Sequence, residues 1–425
     1  WHFYINDYAQ VRRHVQQVVD ETYAGSSYNY VGGDFVQSTA PLMNSEYGGI
    51  GARDGDQDIA WCFKYQTNEL RRHAKICGYV YTELDDIEWE HNGFVNYDRT
   101  PKAFGYDFFV PGMSVADLNA ANYVGLDAPP CQTLSAGAQL TVPVFTSLWG
   151  TPLDAPRLVW QLAFTDRLGQ SRTVDHGVLP VTAQRFAVAN AGLIESKLPA
   201  APGLATLMVR LEAEDGTIAC RNYVNVEVRP IQRLSTEARD DGWTIRLTPG
   251  QIAGTSWPKP FIPADGSKFS AQGSGWVEYQ LALPPELDPA ALRSVRVLLE
   301  AAARAGQHKV DWPQRTYGRN YPQTEPGKEF PSQVSVTLNG VDVATLTLPD
   351  DPADARGVLS HHHGIDPGAY GFLNEITISG KLLEAVRANG GGNWRMRFAA
   401  AAGGLTLFGE TTGAYPLAPT LILHT

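Results

Sequence analysis

Long apolar runs are missing from this 425-residue chain. No window reaches the ~18 consecutive apolar residues that a bilayer-crossing helix needs, so no membrane span is expected. Charge is sparse as well: charged residues make up 19%, and the 45 acidic side chains outnumber the 34 basic ones. A formal net charge of −11 repels a phosphate backbone, so nucleic acid is not an expected partner. Cysteine is limited to Cys62, Cys77, Cys131 and Cys220, which show none of the paired spacings of a metal site. Cys62 and Cys77 lie in apolar surroundings and read as buried thiols. Cys131 and Cys220 flank one candidate domain and are the pair available for a disulfide, but sequence does not fix connectivity. The sequence opens on Trp1-His2-Phe3-Tyr4 rather than on an initiator Met, a charged n-region or an apolar signal segment, so it reads as beginning in mid-domain. No internal repeat or low-complexity tract is found.

Other residues are abundant. With 41 Gly, 28 Pro, 10 Trp and 18 Tyr, the composition suits β-rich domains with many turns and aromatic surfaces, a profile common in proteins that handle sugars. The length predicts two to four domains rather than one core.

Residues 1–106 alternate strand and helix. Asn6 and Asp7 are positioned to cap a helix whose Val11, Val15, Val18 and Val19 keep helical spacing. The apolar stretch Pro41–Met43 leads to Glu46. Asp58 is positioned to cap a second helix carrying Ile59, Cys62, Phe63, Gln66 and Leu70 along one side, and ICGYVYTEL (76–84) reads as another strand. This order belongs to a parallel α/β architecture. Residues 107–130 read as a connector ending in Ala128-Pro129-Pro130. From 131 to 230, QLTVPVFTSLW, RLVWQLAFTD, ATLMVRLEAED and NYVNVEVRP alternate with a period of two, with turns at Asp166–Gly169 and Asp215-Gly216, which suits an immunoglobulin-like sandwich. Residues 231–425 continue as longer-looped β-structure, suited to a jelly-roll-like β-sandwich and a possible carbohydrate-binding accessory domain.

Two stretches then stand out: NSEYGG (44–49) and GYVYTELDDIEWEHNGFVNYDRTPK (78–102). In this order, one helix apart, they resemble the seventh strand end and the eighth strand with its following loop in the catalytic TIM barrel of glycoside hydrolase family 2, the β-galactosidase and β-glucuronidase family. The resemblance covers about a quarter of the chain. It implies that residues 1–106 are the C-terminal part of such a barrel, and that the whole is a C-terminal fragment, a proteolysed product or one half of a split enzyme. A TIM barrel needs eight strands and typically ~250 residues. The family's acid/base glutamate would lie upstream of Trp1, so a preceding segment or separate chain is the implied partner, and this polypeptide alone should be inactive.

The resemblance further implies that Glu46 is the nucleophile of a retaining exo-acting β-glycosidase, bonding to the anomeric carbon of a terminal sugar. Asn44, Ser45, Tyr47 and backbone amides are the donors expected to hold its oxygens, while Gly48 and Gly49 let the backbone turn without crowding the sugar. Tyr81 takes the place of the family's aromatic floor beneath the sugar. On the loop after it, Glu83, Asp85 and Trp89 are candidates for reading hydroxyl groups, as are His2 and Tyr4 at the sixth strand's exit. Asn68-Glu69 imitates the family's acid/base pair but falls inside a helix, where it is expected to face solvent and pair with His73.

No organic cofactor and no metal site is expected, although Asp350, Asp351 and Asp354 are suited to a structural calcium. SHHHG (360–364) does not read as a metal site: in a strand three consecutive histidines point to alternate faces, so a loop cap or surface turn is expected. The aromatic loop 309–331, with Trp312, Tyr317 and Tyr321, suggests either a carbohydrate platform or plain packing. It carries the alternative function, a non-catalytic carbohydrate-binding or scaffolding chain. The sugar and compartment stay open, the family resemblance leaning toward periplasmic or extracellular.

Overall fold

A computed structural model of the chain describes residues 1–48, 59–87, 92–229, 235–304, 331–350, 354–365 and 369–425. Nearly all of the aromatic loop 309–331, with Trp312, Tyr317 and Tyr321, therefore lies outside the described residues, as do Asp58 and Asp351. Among the described residues no helix is long and apolar enough to cross a membrane.

The first unit is a three-stranded parallel sheet in the order β1 (His2–Phe3), β2 (Leu42–Gly48), β3 (Ile76–Thr82). Helices α1 (Tyr8–Glu21) and α2 (Ile59–Arg71) make the crossovers. Asp7 starts α1 as expected, its carboxylate accepting from the backbone N–H of Gln10 at 2.7 Å, and Val11, Val15 and Val18 are buried. Both helices share one core with Phe3 and Tyr47, so they cover the same face of the sheet. Helix α2 is buried all round, from Ile59 to Arg71, because later elements cover the side turned away from the sheet.

Two short helices, α3 (Tyr106–Phe109) and α4 (Val115–Leu118), lead into the second unit. Ser114 caps α4, its hydroxyl accepting from the N–H of Ala116 at 3.3 Å while Asp117 accepts from the N–H of Ser114 at 2.8 Å.

The second unit comprises strands β4 (Asn122–Leu126), β5 (Cys131–Ser135), β6 (Gln139–Leu148), β7 (Arg157–Asp166), β8 (Ser171–Pro180), β9 (Ala187–Lys197), β10 (Gly203–Glu212) and β11 (Ile218–Arg229). They form two facing sheets, β5-β11-β10-β7-β8 and β4-β6-β9. Strand pairing is antiparallel except between β5 and β11. This sandwich has features compatible with an immunoglobulin-like domain. Strand β4 lies inside the segment expected to be a connector: Asn122–Leu126 pairs with β6 along its whole length.

The third unit is a second sandwich, with one sheet of seven strands and one of five. Val295, Val297 and Leu299 from one sheet meet Val334, Val336, Met396 and Phe398 from the other in one core. Its helix α5 (Val358–His363) leaves that core: Val358 and Leu359 are buried with the first two units.

The structure corrects the cysteine expectations. Cys62 is buried, but Cys77 is exposed. Cys131 pairs in register with Asn225 on β11, which puts Cys220 five residues along that strand, roughly 17 Å away and far beyond disulfide reach. Both are free buried thiols, and burial pushes both up, Cys220 to about 12.

The barrel expectation is met only locally. Among the described residues the parallel sheet has three strands, a βαβαβ unit rather than a barrel, and the chain as a whole is predominantly β.

Candidate functional site

Register places Glu46 opposite His2, and Tyr47 opposite Phe3. Phe3 and Tyr47 are buried under α1 and α2, so His2 and Glu46 stand on the other face of the sheet, which neither helix covers. Glu46 is half-buried, and its carboxylate has no hydrogen-bond or ion-pair partner among the described residues. His2 is exposed, Tyr4 is 47% exposed, and their rings lie 6.1 Å apart. The structure thus brings Glu46, His2 and Tyr4 to one place.

The other expected contacts are turned away. Asn44 is fully buried and its amide donates to the backbone oxygens of Trp1 (3.1 Å) and Glu46 (3.2 Å). It braces the main chain that carries Glu46 instead of holding the carboxylate or a sugar. Ser45 also donates to Trp1 O, at 3.1 Å. Tyr47 is fully buried, its hydroxyl 2.6 Å from Thr67 Oγ1, and burial pushes its ionisation well up. A substrate hydroxyl cannot reach either side chain. Gly48 is required by protein rather than by sugar: at φ +115° a Cβ there would meet the Tyr81 ring at 2.6 Å. Gly49 lies outside the described residues.

Tyr81 packs where a sugar floor was expected. Phe94 stacks on it at 4.5 Å, Phe63 and Tyr47 meet it edge-on at 4.9 and 5.4 Å, and its hydroxyl donates to Asn92 O at 2.7 Å. The family resemblance gave the expectation; Tyr81 instead pairs in register with Tyr47, on the face that the helices cover. Asp85 is engaged by the Arg99 guanidinium. Asp86 forms a buried pair with Lys102 at 2.7 Å and accepts from the N–H of Gly93 at 2.9 Å, which ties down the loop after β3. Glu83 begins this loop, half-buried. Trp89 lies outside the described residues.

Asn68-Glu69 is not at the sheet face, but neither does it face solvent. Asn68 Nδ2 donates to Leu126 O at 3.0 Å, and its Oδ1 accepts from the hydroxyl of Tyr123 at 2.9 Å. Glu69 is 1% exposed and pairs with Arg72 at 3.0 Å, not with His73. Burial pushes its carboxyl up against the pull of Arg72. The pair belongs to a polar seam that joins α2 to the second unit.

Two further sequence expectations change. The Asp354 carboxylate, offered for calcium, is filled by the guanidinium of Arg356. SHHHG is a helix, not a strand or surface turn, so the alternate-face argument does not apply. His361 stacks on Trp61, His362 lies 2.7 Å from Thr133 Oγ1, and His363 lies 3.2 Å from Glu227 Oε1.

Among the buried ionisable groups that sequence reasoning missed are Lys64 and Glu300. Lys64 lies over the Tyr223 ring at 4.6 Å, and burial lowers it to about 7. Glu300, inside the third unit, accepts from the N–H groups of Gly371, Ala414 and Tyr415 at 2.8, 2.7 and 2.9 Å, while burial raises it to about 7. For Glu300 the available signal was a charge within the apolar run Val297–Ala302 of SVRVLLEAA. A cavity of about 550 Å3 lies elsewhere again, in the third unit, lined there by Arg246, Lys268, Tyr279 and Glu410 and joined by Arg167 from the second unit.

No protein-family model matches the chain, and no curated protein does. Solved structures that align with it include Bacteroides uniformis β-glucuronidase, at 12% identity and a TM-score of 0.23, covering 96% of this chain and 45% of that one. A calcium-binding mutant of Bacteroides uniformis β-glucuronidase 2 aligns at 12% identity and a TM-score of 0.25, covering 100% and 45%. Parabacteroides merdae β-glucuronidase, with glycerol in its active site, aligns at 10% identity and a TM-score of 0.25, covering 100% and 41%. This chain thus spans less than half the length of these enzymes, and at such TM-scores the alignments carry no argument about its fold or activity.

Proposed function

We propose that the chain contributes the nucleophile of a retaining exo-β-glycosidase, and that Glu46 is that nucleophile. One observation carries the reading: a half-buried carboxylate, without a hydrogen-bond or ion-pair partner among the described residues, stands beside His2 on the face of a parallel sheet opposite to the one that α1 and α2 cover. Sequential strand order with helices on one side is the winding of a (β/α)8 barrel, and such barrels place their chemistry at the C-terminal ends of their strands. The Glu46 oxygen attacks the anomeric carbon while an acid protonates the departing oxygen; water then opens the glycosyl ester, and configuration is retained. The acid/base carboxyl, ~5–5.5 Å from the nucleophile in such enzymes, comes from a β/α segment outside this chain that completes the barrel. Met43 and Val80, exposed by 47% and 45%, offer that segment an apolar surface. His2 and Tyr4 line the subsite. The experiment is turnover of a panel of nitrophenyl β-glycosides by the completed enzyme and by its Glu46→Gln form. Unchanged rates in the variant refute the assignment.

The cavity of about 550 Å3 favours a second reading, a carbohydrate-binding chain, since its volume and mixed polar lining suit a small sugar. Isothermal titration of the full chain with oligosaccharides separates the two: saturable binding abolished by Arg246→Ala, with no turnover in any completed assembly, supports the second.

A further inference from the structure

Helix α5 delivers two imidazoles to a carboxylate on another unit. His362 Nε2, His363 Nε2 and a Glu227 oxygen all lie within 4.8 Å of one another. His363 Nε2 is 3.2 Å from Glu227 Oε1, and His362 Nε2 is 3.8 Å from Oε2. The His363 nitrogen is sheltered from solvent yet lacks the alignment of a hydrogen bond to that carboxylate. Glu227 is 4% exposed and is steadied on Oε2 by the Thr133 hydroxyl at 2.8 Å and Arg229 Nε at 3.0 Å. Oε1 is left facing the histidines.

We propose that Glu227, His362 and His363 form a binding site for a divalent transition-metal ion of the zinc type, which staples the third unit to the second. Two imidazoles and one carboxylate suit a borderline ion in a four-coordinate shell with one position left for water. Bonds of about 2.0–2.1 Å in a tetrahedral shell space the donors roughly 3.3 Å apart, so small rotations of the rings close the present distances. His362 binds as the tautomer protonated on Nδ1, its Nε2 lone pair turning from Thr133 to the ion. Thr133 then remains an outer partner of Glu227 Oε2, the kind of support that orients metal-bound carboxylates. Arg229, bonded to Glu227 Oε2, is a nearby cation acting against the ion. It is 45% exposed along its side chain, free to swing to solvent.

The test is isothermal titration of the full chain, stripped with chelator, with zinc chloride. One ion per chain is expected. Affinity should fall at least about tenfold in His363→Ala and in His362→Ala, stay unchanged in the surface control His176→Ala, and rise in Arg229→Gln, which a merely structural pairing of histidine with glutamate does not predict. Because the alanine variants also loosen the interface, the cobalt(II) complex of the unaltered chain gives an independent reading: intense visible bands of a four-coordinate ion are expected. Absence of saturable binding, equal affinity in the double variant His362→Ala/His363→Ala, or the pale spectrum of six-coordinate cobalt overturns the site.

Discussion

The imidazole of His361 lies flat against the indole of Trp61, ring centroids 4.7 Å apart and 12° from parallel. The contact joins helix α5 of the third unit to helix α2 of the first, although 300 residues separate them in the chain. Trp61 is 2% exposed and Val358 and Leu359 are buried in the same core. Trp61→Ala therefore opens a cavity at a junction as well as removing a stack. A loss of about 3–5 kcal/mol is expected in urea unfolding. A loss below 1 kcal/mol would mean that α5 does not hold the units together.

Lys64 makes stability depend on pH in a defined window. Its folded pKa, lowered by burial to about 7, lies below its unfolded value of 10.5. Between the two, the unfolded chain holds a proton that the folded chain has released, so stability rises with pH, by up to about 1.4 kcal/mol per unit. The Tyr223 face attracts the ammonium, but burial outweighs it. Lys64→Met removes this slope and raises stability at pH 7, measured as the difference between parent and variant at pH 7, 8 and 9. Parallel pH profiles would contradict the assignment.

Glu300 holds three backbone N–H groups, from two segments of the chain, at once. Its Oε1 accepts from Gly371 and Ala414, and Oε2 from Tyr415. Gly413, at φ +81°, lies so close that a Cβ would meet Oε1 at 2.3 Å. Glu300→Ala orphans three buried donors and is expected to cost roughly 3–5 kcal/mol. Glu300→Gln keeps the doubly used oxygen and should cost less. Thermal melts of both variants check the order; equal, small losses would show that the loops are held by other contacts.

The legible parts of the fold were those governed by local periodicity. Strand β7, Arg157–Asp166, coincides with RLVWQLAFTD, and Asp7 caps α1, because alternation and capping are decided by near neighbours. What failed was decided at long range. Asn122–Leu126 looked like a connector because Pro129-Pro130 follows it, yet β6 supplies its hydrogen bonds. Glu69 has the spacing for a solvated pair with His73, but Arg72, which also pairs with Asp127, draws it into a buried seam with the second unit. The three histidines were read as a loop cap or surface turn, whereas a six-residue helix aims them at Trp61, Thr133 and Glu227. At the candidate site the strand bearing Glu46 was legible. The burial of Asn44, Tyr47 and Tyr81 was not, since it depends on which face the helices cover.

The chemistry assigned to Glu46 is tested most directly by peptide mass mapping after the completed enzyme has been treated with a mechanism-based fluorinated glycoside, which leaves a stable sugar ester on the nucleophile. The account predicts one added sugar, on the peptide containing Glu46, and none in Glu46→Gln. A label on any other carboxylate, or steady turnover with the Glu46 peptide unmodified, would contradict it.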